Sequence, residues 1–180
     1  MQTFRNQFLI AMPQMQDPNF AGTLTYICEH SEKGAMGIVI NRPLEMSLGE
    51  ILSQLDLGGD ELDIPVYSGG PVQLDRGFVL HNGAEWTSSL TIADGILLTT
   101  SKDILAAIAS ENGPEDYLVA LGYAGWGEGQ LEQEIADNAW LVCPASTDVL
   151  FHMPFHKRFN AALASMGIDL AQLSGQVGHS

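Results

Sequence analysis

The feature that most constrains the fold of this chain is an Asp-Gly pair, Asp94-Gly95, between two short apolar runs. The runs are Leu90–Ala93 and Ile96–Thr99. An Asp-Gly pair in this setting is the strongest short-range signal of a two-residue β-hairpin, whose strands must be antiparallel. The sequence therefore predicts an antiparallel hairpin here, which argues against a wholly parallel sheet.

Short strand-like and helix-like segments are interleaved along the rest of the chain. Further strands are predicted at Phe8–Met12, Thr23–Cys28, Met36–Ile40, Gly77–His81, Tyr117–Leu121 and Val149–Phe151. The helices are too irregularly placed for strict βαβ alternation, so the sequence predicts a mixed α+β fold. A length of 180 residues, with 46% apolar and 16% charged residues, favours one self-folding domain over residues 1–180.

Four helices are predicted from caps and apolar stripes. The first covers Met46–Leu55, because Ser47 and Glu50 have the spacing of a capping box, and Gly58-Gly59 ends it. The others are a helix capped by Ser101 that runs through Ile108, a helix over Gln130–Leu141, and a helix over about Lys157–Met166 that stops at Gly167. The last helix is expected to turn four apolar side chains inward, namely Phe159, Ala162, Leu163 and Met166.

The charge of the chain narrows the range of partners. Acidic residues number 22 and basic residues 7, which gives a net charge of −15 at pH 7. A field of this sign opposes direct binding to nucleic acids and to anionic membrane surfaces. No apolar run approaches the ~18 residues that span a bilayer, and the first residues lack the pattern of a signal peptide. We therefore expect a cytoplasmic protein in which Cys28 and Cys143 are both reduced.

Cys28 and His30 are the first candidates for catalysis, because a strand would place them on one face as a thiol nucleophile and its base. Neighbours on one face of a strand are ~7 Å apart, whereas such a dyad needs a hydrogen bond of ~3 Å. The charge of Glu29 also opposes thiolate formation, and Cys28 continues an apolar face with Leu24 and Tyr26. The sequence favours a buried structural cysteine.

A metal site could be built from Cys143, His152 and His156. However, Pro154 lies between the two histidines, where a helix interior is disfavoured, and no fourth ligand is evident. No metal and no cofactor are predicted.

The glycine-rich segment 122–130 has the composition of a phosphate-binding turn between a strand and a helix. Its glycines fit neither of the common phosphate-binding patterns, and the nearby charged residues are acids. We interpret the segment as tight turns with Trp126 packed over them. Binding of an uncharged or cationic ligand, or of a protein partner, is the alternative.

The scarce basic residues are better indicators of a site. Arg42 lies in Asn41-Arg42-Pro43, and Arg76 follows Gly69-Gly70-Pro71, so both are at turns beside predicted strands. Arginine clamps a carboxylate or phosphate with a bidentate fork. Because acids greatly outnumber bases, an internal ion pair is favoured for these arginines, with ligand binding as the alternative.

Several strings in a fixed order carry a family resemblance. They are Phe8–Pro13 (FLIAMP), Asp17–Phe20 (DPNF), Glu29-His30, Gly34–Pro43 (GAMGIVINRP), Gly69–Val72 (GGPV), Arg76–His81 (RGFVLH) and Gly122–Glu132 (GYAGWGEGQLE). Together they resemble the YqgE/AlgH family of bacterial proteins over about residues 7–170. The resemblance implies a mixed, bifurcated sheet that partly closes into a small barrel flanked by helices. It implies no enzymatic reaction, although one member is associated with the regulation of alginate production.

These observations give three functional hypotheses. The leading one is a non-enzymatic cytoplasmic protein that acts in regulation, including transcriptional regulation, through a protein partner or a small ligand. The rivals are an enzyme with His30 or His81 as its base and an arginine that holds an anion, and a regulator that binds nucleic acid directly. The candidate ligand- or partner-binding residues are Glu29, His30, Asn41, Arg42, Pro43, Gly69, Gly70, Pro71, Arg76 and His81.

Overall fold

Ten β-strands and four α-helices are present in the part of the chain that the computed structural model describes, residues 3–169 and Ala171. The strands are β1 (Gln7–Ala11), β2 (Leu24–Ser31), β3 (Gly34–Val39), β4 (Pro43–Ser47), β5 (Pro65–Ser68), β6 (Val72–His81), β7 (Ser89–Ala93), β8 (Ile96–Thr99), β9 (Tyr117–Trp126) and β10 (Trp140–Pro144). The helices are α1 (Leu48–Gln54), α2 (Lys102–Ala109), α3 (Gln130–Ala136) and α4 (Phe155–Ser165). A π-helical segment, Asp148–His152, precedes α4. None of these helices is long and apolar enough to cross a membrane.

The sheet is organised around β9, which pairs with three other strands. β6 pairs antiparallel with Tyr117–Leu121, β5 pairs parallel with Ala120 and Leu121, and β3 pairs antiparallel with 124–126. The main strand order is β10-β1-β2-β3-β9-β6-β8-β7, and β4 pairs with β5 beside this path. The sheet therefore forks at β9 and curls into a half-barrel, which confirms the α+β fold with a mixed, bifurcated sheet.

The fork depends on glycine backbones that approach each other without side chains between them. Gly69 donates its N–H to the carbonyl of Leu121 at 2.8 Å and accepts the N–H of Val39 at 2.9 Å, so it links β9 with β3. A Cβ atom on Gly69 would lie 2.4 Å from the carbonyl oxygen of Gly122, and one on Gly122 would lie 2.5 Å from that of Gly70. Gly122 also has a φ of +78°, which side-chain-bearing residues rarely adopt.

Apolar side chains fill both faces of the sheet around β9. Leu118 and Ala120 belong to the largest core cluster, which α4 and the π-helical segment help to cover, whereas Val119 belongs to the cluster under α1 and α2. This is the alternation expected of a strand that is buried on both faces. A third cluster joins α3 to two buried tryptophans, Trp126 and Trp140.

Predictions that depend on local sequence signals are confirmed. β7 and β8 form an antiparallel hairpin in which Ala93 pairs with Ile96 across the Asp-Gly turn. At the start of α1, the Glu50 N–H donates to Oγ of Ser47 at 3.3 Å and the Ser47 N–H donates to the Glu50 carboxylate at 3.4 Å, as in a capping box. Seven of the eight predicted strand positions coincide with observed strands, although β2, β6 and β9 are longer than predicted.

Predictions that required knowledge of tertiary pairing are wrong at several places. The segment Val149–Phe151 is π-helical, because an isolated short apolar run does not distinguish a strand from a buried helical turn. The helix predicted over Gln130–Leu141 ends at Ala136; Asn138 then has a φ of +63°, and Trp140 begins β10, which pairs with β1. β4 and β5 were absent from the predicted strands.

Other differences concern helix ends and the glycine-rich segment. α1 ends at Gln54, before Gly58-Gly59, and Met166 is 37% exposed although it was expected to face inward. Ser101 is the N-cap residue of α2, but its hydroxyl contacts the Thr87 carbonyl and the Asp103 carboxylate and makes no capping bond. Gly122–Trp126, predicted as turns, is the second half of β9; only 127–129 turns toward α3.

We predict that Gly122→Ala lowers the free energy of unfolding by about 3 kcal/mol. Alanine would have to adopt an unfavourable positive φ, and its methyl group would clash with the backbone of Gly70. Gly125→Ala is the matched control in the same strand, since a Cβ there meets only the Tyr123 ring at 3.4 Å. The control should remain within about 1 kcal/mol of the parent. Urea denaturation measures both; equal stabilities of the two variants would contradict the role of Gly122.

Candidate functional site

An open cleft of about 990 Å³ lies beside β9, between strands of the main path on its two sides. One wall comes from the end of β2, the turn at Lys33 and the start of β3. The opposite wall comes from β6, from residues 88–90 at the start of β7, and from Leu98 and Thr100. Tyr123, Gly125 and Trp126 of β9 complete the lining. The cleft therefore spans the curled sheet from β3, across β9, to β6.

The cleft collects positive charge in a protein that is strongly acidic. Arg5, Lys33 and Arg76 line it, which is three of the 7 basic residues of the chain. Among the described residues, Glu29 is the one lining residue that belongs to the 22 acids. An anion that is repelled by the rest of the surface would therefore meet a locally favourable field here.

Three of the arginines clamp neutral backbone carbonyl groups. Arg5 donates from Nε to the Ile92 carbonyl at 2.9 Å and from Nη2 to that of Thr91. Arg42 donates to the carbonyls of Pro18 and Asn19, each at 2.8 Å, and of Ala21 at 2.6 Å. Arg158 is buried, donates to the carbonyls of Met153 and Ile40, and lies over the Tyr67 ring at 4.9 Å.

The predicted internal ion pairs of Arg42 and Arg76 are therefore wrong: within the described residues, neither guanidinium pairs with a carboxylate. The loop carbonyls near Arg42 need donors, and its guanidinium supplies three of them without desolvating an acid.

Arg76 differs from the other arginines because most of its donors are unused. Its one hydrogen bond to a described residue runs from Nη1 to the side-chain oxygen of Gln73 at 3.1 Å. Its guanidinium carbon lies 5.4 Å from the centre of the Phe78 ring, which also lines the cleft. β6 loses its pairing with β9 between Val72 and Gly77, so Arg76 lies on an exposed arch at the rim.

His30 is a fixed part of the cleft wall. Its ring is fully buried and stacks on Phe4 at 5.1 Å. Nδ1 accepts the backbone N–H of Phe4 at 2.9 Å, so the proton of the neutral ring is on Nε2, which donates to Glu132 of α3 at 3.1 Å. Both ring nitrogens are engaged, which makes His30 a tether between the N-terminal segment and α3.

His81 lies behind the cleft with no exposed surface. Its Nδ1 contacts the Asn82 carbonyl at 2.8 Å and its Nε2 contacts Oγ1 of Thr99 at 2.7 Å. Oγ1 of Thr99 is in turn 2.6 Å from Oγ of Ser89, a residue of the cleft lining. Burial lowers the pKa of His81 below its ordinary value, although the hydrogen bond to Asn82 partly opposes this change.

The structure brings together only part of the predicted site. Glu29, His30 and Arg76 line the cleft, whereas the other candidate residues do not belong to its described lining. The candidate residues outside the lining are Asn41, Arg42, Pro43, Gly69, Gly70, Pro71 and His81. Among them, Asn41 accepts the backbone N–H of Leu24 and donates to the carbonyl of Gly22.

Cys28 occupies the bulge where the pairing of β2 with β3 shifts between Ile27 and Glu29. It is fully buried, and burial together with the charge of Glu29 raises the pKa of its thiol. Cys143 is also buried and free. The expectation of a buried structural Cys28 is confirmed. Across residues 3–169, no group of three or more His, Cys, Asp or Glu side chains is arranged to hold a metal ion.

Sequence reasoning missed several residues of the cleft. Arg5 and Lys33 belong to no motif, and nothing in their local sequence indicates their position. Ser89 and Thr99 lie directly opposite each other in β7 and β8, but a regular two-residue hairpin would place Thr99 opposite Leu90. The irregularity between Thr91 and Ala93 shifts the pairing by one residue, so the hairpin signal did not predict this contact.

The lowered pKa of His81 predicts a pH dependence of stability. Below pH 6.5, the ordinary value, the unfolded chain binds a proton that the folded chain excludes, so the free energy of unfolding falls as the pH drops. The loss has a slope of up to about 1.4 kcal/mol per pH unit. His81→Gln keeps an acceptor for Thr99 but cannot titrate, so its stability should fall less over the same range. Urea denaturation of both proteins at several pH values measures this; identical slopes would show that His81 does not contribute.

Comparisons with known proteins agree with this architecture. A family model described as AlgH-like matches residues 8–171. UPF0301 proteins of Thioalkalivibrio sulfidiphilus and Hahella chejuensis are 58% and 57% identical, over 98% and 100% of this chain and 97% and 98% of theirs. The solution structure of the AlgH protein from Pseudomonas aeruginosa superposes with a TM-score of 0.81 at 49% identity, over all of both chains. A crystal structure of a Corynebacterium diphtheriae protein shares the fold, with a TM-score of 0.73 at 20% identity over 92% of this chain and 88% of that one. The chain therefore belongs to the AlgH-like family.

Proposed function

We propose that this protein is a regulatory binding protein whose cleft takes a small anionic ligand. The observation that carries the proposal is Arg76, which lines the cleft with most of its donors unbound by any described residue, while the three other arginines bind carbonyl groups. A free guanidinium binds a carboxylate or phosphate through two parallel charge-assisted hydrogen bonds. Lys33 and Arg5 add positive charge to the same cleft.

The ligand is expected to carry an apolar part beside its anionic group. Phe78, Leu90, Tyr123 and Met36 line the cleft together with the polar residues Ser88 and Thr100. Sites for small molecules combine an apolar lining with a few polar groups that fix orientation, and the volume of about 990 Å³ lies within their usual range. A small organic carboxylate or phosphate suits this combination.

Direct nucleic-acid binding is less well supported. A nucleic acid presents many phosphates along its length, whereas only three of the 7 basic residues line this cleft, in a protein of net charge −15. In this proposal the protein acts in the cytoplasm, and binding of the ligand in the cleft controls its interaction with a protein partner. A gel shift that appears at low salt and weakens steeply with added salt would favour the nucleic-acid hypothesis instead.

The anionic fluorophore anilinonaphthalenesulfonate tests the proposal, with the uncharged N-phenylnaphthylamine as a matched probe. We expect Arg76→Gln to weaken binding of the anionic probe by about 10-fold or more, as loss of a charge-assisted contact implies, and to leave the uncharged probe unaffected. The control variant is Lys102→Gln, because Lys102 lies at the start of α2, outside the described cleft lining.

Fluorescence titration at constant ionic strength gives the affinity of the parent protein and of each variant for both probes. Equal weakening by both substitutions would show that the effect comes from net charge and not from the cleft. Failure of the parent protein to bind the anionic probe would contradict the proposal.

A further inference from the structure

Two opposite charges that form no ion pair with any described residue line facing walls of the cleft. Glu29 is on one wall, and neither Lys33 nor Arg5 forms an ion pair with its carboxylate. Arg76 is on the opposite wall, where it makes one hydrogen bond to a described residue. An acid and a base that are kept apart in one cleft complement a ligand that carries both charges.

The strand register turns the Glu29 side chain into the cleft. Glu29 pairs with Met36, and Met36 pairs with Gly125, so these three residues form one row across β2, β3 and β9. Residues directly opposite each other in neighbouring strands point to the same face, and Met36 packs against the largest core cluster on the cleft side. The bulge at Cys28 makes this possible, because regular alternation after Cys28, a member of the same cluster, would turn Glu29 to the other face.

A second backbone irregularity turns Tyr123 to the same face. Ala120 belongs to the largest core cluster, so regular alternation along β9 would point Tyr123 away from it. Gly122, with a φ of +78°, lies between them, and Tyr123 packs against this cluster after all. The Tyr123 ring meets the Phe78 ring edge to face, with 5.7 Å between the ring centres. Arg76 lies on this side too, because its guanidinium carbon is 5.4 Å from the centre of the Phe78 ring.

The middle of this face is open at Gly125. Apart from its chain neighbours, a Cβ atom on Gly125 would meet only the Tyr123 ring, at 3.4 Å. The missing side chain leaves room beside Met36 and Tyr123, and a thioether and a phenol ring both pack well against an apolar or aromatic group. From Glu29 to Arg76, the cleft therefore presents a carboxylate, a thioether, an open place, two aromatic rings and a guanidinium.

We propose that the ligand is a small zwitterion whose ammonium group binds Glu29 and whose carboxylate binds Arg76, with an apolar segment between the two charges. β2 and β6 are separated by three strand spacings, about 14 Å along the sheet, and side chains on a concave face converge. Three extended residues span about 10 Å, so a tripeptide with free ends has the required charges and length. This inference rests on the proposed function for the carboxylate end, whereas the ammonium end rests on Glu29.

Three forms of the tripeptide alanyl-phenylalanyl-alanine test the inference. One has free ends, the N-acetyl form lacks the positive charge, and the C-terminal amide lacks the negative charge. NMR titration of the ¹⁵N-labelled full chain gives a dissociation constant for each, and the amide signals of Met36 and Gly125 should shift. We expect the tripeptide with free ends to bind about 5-fold more tightly than the N-acetyl form, the upper range for an exposed ion pair. It should bind about 10-fold more tightly than the amide, because the amide cannot accept the bidentate bond of Arg76.

Variants assign each charge of the ligand to one residue. Glu29→Gln should remove the preference for the unacetylated amine, and Arg76→Gln should remove the preference for the carboxylate over the amide. The control is Glu45→Gln, because Glu45 is an exposed acid of β4 outside the described cleft lining, and it should keep both preferences. Gly125→Val places a side chain in the open place and should weaken the binding of all three peptides. Thermal melting confirms that each variant is folded at the assay temperature.

The outcomes for the two proposals can be separated. Equal affinities of the parent protein for the free and N-acetyl tripeptides, or an amine preference that survives Glu29→Gln, would overturn the inference. If those affinities are equal but Arg76→Gln weakens both, the anionic ligand of the proposed function stands and the zwitterion does not. If the amide binds as tightly as the tripeptide with free ends, the anion site at Arg76 is wrong and both proposals fall. A parent protein that binds none of the three peptides would also overturn the inference, even if it binds the anionic fluorophore.

Discussion

The fold depends on one close contact of backbones, in which Gly69 and Gly70 approach Gly122 without any side chain between them. Because the backbones can come so near, the ten-residue strand β9 pairs with β3, β5 and β6. Without this contact β5 could not pair with β9, and the sheet would have no second branch. β9 lies between β3 and β6 in the strand order, and the cleft spans the curled sheet across β9.

The arginines of this protein differ in what they bind. Arg5, Arg42 and Arg158 bind carbonyl oxygens, so these cations act as multivalent donors for turns and strand ends that lack backbone partners. Neutral acceptors are available next to the guanidinium groups, which lets the carboxylates remain hydrated at the surface. Arg76 does not bind carbonyl groups in this way, because it lies in the part of β6 that does not pair with β9. Its remaining donors are what a ligand can use.

Features set by a few neighbouring residues were predictable, and features set by distant pairing were not. The Asp94-Gly95 hairpin and the Ser47–Glu50 capping box depend on residues that are close in sequence, and both are present. The first two residues of β10, Trp140 and Leu141, were predicted as helix because the pairing of β10 with β1 joins residues far apart in the chain. The family resemblance correctly implied the bifurcated sheet. The cleft could be predicted only in part: Glu29, His30 and Arg76 were identified, but Arg5 reaches Thr91 across 86 positions, a relation that no local pattern encodes.

The bond between Arg5 and the carbonyls of Thr91 and Ile92 also bears on self-association. β7 is the last strand in the sheet order, so its outer edge offers backbone acceptors to any extended chain that comes near. The pairing with β8 is already irregular between Thr91 and Ala93, where such acceptors would be easiest to reach. By occupying two of them with a charged group, Arg5 makes this edge a poor template for a strand from a second molecule, and so helps to keep an apolar sheet from growing into aggregates.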